Sequence, residues 1–90
     1  MYKLNFTKDY KKKELKFLKK HKHLFSQYSK TLKFLREDPF YPSIRLHKLK
    51  GNLKEYYSVS INMSYRIVIN LIIIDNEIYL LDIGSHDDVY

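Results

Sequence analysis

His47, Arg66 and His86 are the residues of this chain whose types suit acid–base chemistry around a phosphate. Cutting RNA without a metal requires a base for the ribose 2′-hydroxyl, a cation for the five-coordinate phosphate and an acid for the leaving 5′-oxygen. Histidine suits the first and third tasks, because its unperturbed pKa of about 6.5 leaves both protonation forms available near neutrality. Arginine suits the second, since its planar fork pairs with two phosphate oxygens and stays charged. Arg66 is the only basic residue after Lys54 and sits between apolar neighbours, where an unpaired cation is costly. Its structural alternative is an ion pair with Asp82 or Glu77. Read alone, His47 is first a surface histidine in a basic loop, and His86 has the alternative of a histidine in a fraying tail.

The elements that must position these residues follow from periodicity. Residues 2–6 alternate and predict a short strand, after which Thr7 caps a helix that has Asp9 in its first turn and runs to about Lys20. A second helix, from about Leu24 to Arg36, repeats Leu24, Tyr28, Leu32 and Leu35 and ends at Asp38-Pro39. Together they predict an antiparallel helical hairpin. From Pro39 to Gly51 the pattern is irregular, which places Arg45, His47, Lys48 and Lys50 on a loop or its rim. Three strands follow: Tyr57 to Asn62, the β-branched run Tyr65 to Ile74, and Glu77 to Ile83 after a tight Asp75-Asn76 turn. The order is β-α-α-β-β-β, an α+β class in which the helical hairpin covers a small, mainly antiparallel sheet. The near-continuous apolar run from Arg66 belongs in the middle of that sheet. If the strands pair so, His47, Arg66 and His86 approach one end of it.

Ninety residues with 44% hydrophobic and 16% aromatic content suffice for one core, a single domain over 1–90, and exclude a large multi-domain enzyme. There is no cysteine, so neither disulfides nor thiolate metal sites hold the chain. His21 and His23, an i,i+2 pair with no carboxylate nearby in sequence, read as surface residues, and neither metal nor cofactor is expected. No apolar run is long enough to span a bilayer or form a signal peptide, so a soluble cytoplasmic protein without membrane partners is expected. Charge is segregated: residues 1–54 carry 16 Lys/Arg against 4 Asp/Glu, and residues 55–90 carry 1 against 6. Nucleic acid is the first partner such a distribution points to. Lys12, Lys16 and Lys20 of the first helix, with Arg45, Lys48 and Lys50, are the candidate RNA contacts. A solvated lysine-rich helix face is the plain alternative.

The order of elements, the stretch His47-Lys48-Leu49-Lys50-Gly51, the strand Tyr65-Arg66-Ile67-Val68-Ile69 and the ending Gly84-Ser85-His86-Asp87-Asp88-Val89-Tyr90 resemble the RelE/ParE superfamily of bacterial type II toxins. Within it the nearest branch is that of the YafQ- and YoeB-like mRNA interferases. The resemblance implies a RelE-like fold and a ribosome-dependent endoribonuclease that cuts translated mRNA. It also implies a cognate antitoxin that holds the toxin inactive in a hetero-oligomer. His47 falls where YoeB-like members have a glutamate base and YafQ-like members a histidine. Arg66 matches the strand arginine that holds the phosphate, and His86 the histidine assigned as general acid. Tyr90 falls where relatives end in an aromatic that stacks on or orients the mRNA base.

The sequence departs from the family pattern at three positions. Relatives carry lysines, or a histidine, at the places of Ser58 and Ser60, and YafQ-like members an aspartate near Tyr65. Because a serine is no general base near neutral pH, catalysis would fall on His47 and His86, with base and acid interchangeable. Two other functions share the fold: a ParE-like inhibitor that binds DNA gyrase, and a basic RNA-binding module without catalysis. A histidine pair around an arginine favours the nuclease over the gyrase binder, and the non-catalytic module predicts that replacing His86 leaves toxicity unchanged.

Overall fold

The computed structural model describes the chain except for Lys54 and Tyr90 and the side chains of Leu53, His86 and Asp88. Strand β1 (Lys3–Phe6) leads into helices α1 (Lys8–Lys20) and α2 (Phe25–Glu37), joined by a 3-10 turn at Lys22–Leu24. After another 3-10 turn at Pro42–Ile44 come β2 (His47–Lys48), β3 (Tyr57–Ser60), β4 (Tyr65–Ile72), β5 (Glu77–Ser85) and the short helix α3 (His86–Val89). The sheet has five strands in the order β1-β5-β4-β3-β2, parallel between β1 and β5 and antiparallel elsewhere.

The expected mainly antiparallel sheet is present, with β4 at its centre. The sequence reading missed β2. Its two residues are too few to show alternation, and the strand exists because His47 and Lys48 pair with Ser58 and Tyr57. His47 and Lys48 therefore occupy an edge strand, where the sequence predicts a loop or its rim.

Thr7 fixes the first crossover. Its hydroxyl oxygen accepts the Tyr10 amide (3.3 Å) as the α1 cap and donates to the Leu80 carbonyl of β5 (2.9 Å), so one side chain ties helix start to sheet. The main core lies between helices and sheet and contains Tyr10, Leu35, Ile67, Ile69, Ile78 and Leu80, all fully buried. Inside it the hydroxyls of Tyr10 and Tyr28 meet at 2.6 Å, and Tyr28 donates to Glu14 at 2.5 Å. Burial raises both phenols above the usual tyrosine range, and Glu14 adds to this by opposing a phenolate.

The opposite face of the sheet carries a second, smaller cluster of Leu49, Val68 and Val89, with Tyr56 and Leu81 packed on it. Val89 brings α3 back over this face. The register of β4 against β5 slips between Val68 and Ile69, where Leu81 has no partner. At this bulge the consecutive residues Asp82 and Ile83 both turn toward the helices. Asp82 pairs with Lys13 at 3.1 Å, and Ile83 joins the main core.

Candidate active site

Residues directly opposite one another in a sheet share a face. Across the face away from the helices, one row is His47, Ser58 and Val68, and the next is Ser60, Arg66 and Gly84. In the first row, Ser58 Oγ lies 3.4 Å from both ring nitrogens of His47. In the second, Arg66 Nη1 donates to Ser60 Oγ at 2.7 Å. Both serines are buried, while His47 is exposed and Arg66 half-buried. Two residues along a strand span about 7 Å, so imidazole and guanidinium rest at points that far apart on β3. A phosphate and its neighbouring ribose hydroxyl fit that interval.

Ser58 and Ser60 are thus the residues that sequence reasoning passed over. The sequence reads them as places where family side chains are missing, and in the structure they are the footing of both candidate groups. The available signal was their alternation with Val59 and Ile61, which sets two hydroxyls on one buried face.

Arg66 does not pair with Asp82 or Glu77. Asp82 lies on the helix side with Lys13, and Glu77 is opposite Ile72 at the far end of β4. The Arg66 Nε has no hydrogen-bond partner among the described residues. A cleft of about 190 Å³ opens beside the guanidinium, lined by Arg45, Ser60, Asn62 and Met63 as well as Arg66 itself. Arg45 reaches it from a left-handed backbone position (φ 49°) at the end of the Pro42–Ile44 turn, a conformation unusual for a side-chain-bearing residue. Asn62 closes the β3–β4 turn by accepting the amides of Ser64 (2.8 Å) and Tyr65 (2.9 Å), which sets where Arg66 enters its strand.

The other predicted contacts separate. Lys48 is opposite Tyr57, on the face away from His47, and Lys50 is exposed beyond the strand. Lys16 and Lys20 line a second groove of about 390 Å³ on the helix side, with Lys13, Phe17, His21 and Tyr65. Lys12 is exposed outside it. Hence His47 and Arg66 share one face, Arg45 lines the cleft beside Arg66, and Lys16 and Lys20 of α1 lie on the helix side. His21, expected on the surface, is half-buried, its ring 4.6 Å from those of both Phe17 and Tyr65. The reason is that α1 ends over Tyr65, which turns to the helix face because its neighbour Arg66 turns away.

His86 opens α3 directly after Ser85, which pairs with Tyr65 at the Arg66 end of β4. Its side chain, and Tyr90 altogether, lie outside the described residues. Among the described residues, no three His, Asp or Glu side chains stand together as metal ligands, and no helix is long and apolar enough to cross a membrane.

Residues 2–90 match the family model described as the bacterial toxin of type II toxin-antitoxin system, YafQ. Among solved structures, a copper-bound mutant toxin from Helicobacter pylori is 30% identical with a TM-score of 0.79, each chain covered in full. YafQ from Escherichia coli BL21(DE3) is 13% identical, with a TM-score of 0.80 over 100% of this chain and 99% of that one. The YoeB-YefM complex from Staphylococcus aureus contains a chain 24% identical, with a TM-score of 0.73 and coverage of 96% and 98%. These last two share the fold. A search of curated proteins by sequence finds no match.

Proposed function

The chain belongs to the YafQ family of bacterial type II toxins, in the RelE/ParE superfamily, and from that premise we propose that it is a metal-independent endoribonuclease that cuts translated mRNA on the ribosome. The observation that carries this reading is the placement of His47 and Arg66 on one sheet face, each resting on a serine of β3 about 7 Å apart. A binder has no need of a base beside an arginine-lined cleft.

In the reaction, His47 takes the proton of the 2′-hydroxyl, and its oxygen attacks the adjacent phosphorus. Arg66, seconded by Arg45 across the cleft, holds the non-bridging oxygens as charge builds on them. The 5′-oxygen leaves with a proton from His86, giving a 2′,3′-cyclic phosphate and a 5′-hydroxyl. Tyr90 stacks on the base and orients the ribose. The lysines of α1 grip ribosomal RNA through its phosphates, without reading sequence. The toxin is held in a hetero-oligomer with its antitoxin in the cytoplasm.

Induced expression in a bacterial host, with mRNA 5′-end mapping, tests this reading. Wild type is expected to stop growth and produce new cuts within translated codons, and Arg66→Ala or His86→Ala to abolish both effects. Growth arrest without cuts would overturn the nuclease and favour a gyrase inhibitor. Cuts that survive both substitutions would overturn the residue assignment.

A further inference from the structure

The shortness of β2 leaves a gap in the sheet edge. Its two residues pair with Tyr57 and Ser58, so β2 stops short of Ser60, and the turn at Pro42–Ile44 borders that position instead. Through this gap the cleft beside Arg66 continues toward α2. A second cleft, of about 230 Å³, has Gln27, Lys30 and Phe34 of α2 in its wall and shares Ser43, Ser60 and Ile61 with the first. The two clefts form one trough, with cations at Lys30, Arg45 and Arg66 and no acidic residue in either lining. The groove under α1 differs, because Asp82 lines it and pairs with Lys13. A trough lined by cations alone suits a polyanion that runs along it.

The second cleft offers the contacts that one nucleotide needs. Phe34 is braced by Tyr41, stacked on it at 4.4 Å, and presents a fixed aromatic surface. The exposed carboxamide of Gln27 carries both donors and an acceptor, the complement of a base edge. Lys30, three residues on, stands on the same side of α2 and supplies a charge for a phosphate. Ser60, only 8% exposed, accepts from Arg66, and among the described residues its own hydrogen has no acceptor. The order along β3 sets the polarity: Ser58 lies beside His47, Ser60 beside Arg66, and Ile61 at the second cleft. With a 2′-hydroxyl at His47 and the scissile phosphate at Arg66, the strand runs on toward Ile61. We propose that the cleft under α2 binds the nucleotide immediately 3′ of the cut, with Gln27 on its base and Lys30 on its 3′-phosphate. This rests on the nuclease reading above and adds two residues of α2 to the RNA path.

The test is single-turnover cleavage by the full chain on ribosomes carrying one of three mRNAs. The first is intact, the second lacks the base of the nucleotide 3′ of the cut, and the third ends in a 3′-hydroxyl directly after that nucleotide. Wild type is expected to cut the second and third roughly 10-fold more slowly than the first. Gln27→Ala and Lys30→Ala, both at exposed positions, are expected to cut the intact mRNA roughly 10-fold more slowly than wild type. Each variant also loses one sensitivity: Gln27→Ala no longer distinguishes the abasic mRNA, and Lys30→Ala no longer distinguishes the one lacking the phosphate. Lys30→Arg restores the wild-type pattern. If wild type cuts all three mRNAs alike, or the variants keep both sensitivities in full, the subsite is overturned while the nuclease reading stands. If wild type cuts none of them, both are overturned together.

Discussion

Arg66 Nη1 donates to Ser60 Oγ at 2.7 Å directly across the β3–β4 pair, so the guanidinium is pinned at one corner while the side chain lines the Arg45 cleft. A hydrogen bond to a charged group contributes about 1.5–3 kcal/mol, and here it sets direction as well as energy. Ser60→Ala is therefore expected to slow mRNA cleavage roughly 10- to 100-fold while leaving growth-phase protein levels and the folded spectrum intact. Single-turnover cleavage measures it, and an unchanged rate would show that Ser60 does not aim Arg66.

Arg45 separates strain from function. A left-handed backbone costs a side-chain-bearing residue about 1–2 kcal/mol, and glycine relieves it at some expense in chain entropy. In Arg45→Gly the melting temperature is expected to stay level or rise, while cleavage falls because the second cation of the cleft is gone. Parallel thermal melts and cleavage assays check this, and a fall in both would mark Arg45 as a structural residue.

His47 is exposed, so its replacement disturbs little packing. His47→Ala is expected to lower cleavage by about 10²–10⁴, the usual contribution of a positioned base. Single-turnover cleavage measures it, and an unchanged rate would assign the base to another residue.

The Tyr10–Tyr28–Glu14 network predicts sensitivity to alkali. Both phenols are held protonated in the fold, first by burial, whereas unfolded tyrosines lose their protons near pH 10.0. Above that pH the unfolded chain binds fewer protons than the native one, so stability is complete below it and declines as pH rises. Urea titrations at pH 7, 9 and 10.5 are expected to show a steeper loss between the last two for the wild type than for Tyr28→Phe. Equal slopes would remove Tyr28 as the cause.

Periodicity made both helices, the β-branched central strand and the Thr7 cap legible, because each uses a local signal several residues long. It could not reveal β2, whose two residues become a strand only through Ser58 and Tyr57. The same limit applied to the site. Arg66 stood out as a lone cation among apolar residues, but the faces of Lys48 and Lys16 depend on pairing and helix docking. Ser58 and Ser60 carry no chemistry of their own, and their part emerges only once His47 and Arg66 are laid beside them.

The bulge at Leu81 acts as a phase shift. Counted strictly by twos from Ile78 and Leu80, the helix-facing positions of β5 would be Asp82 and Gly84, and Ile83 would face away. The skipped residue moves the rest of the strand by half a period, so Ile83 enters the core and Gly84 comes level with Arg66. The end of the chain, from Ser85 through His86, inherits that setting. Were the same residues paired without the bulge, the composition and the strand would be kept, yet the final turn would leave from the wrong side and Arg66 would stand opposite Ile83.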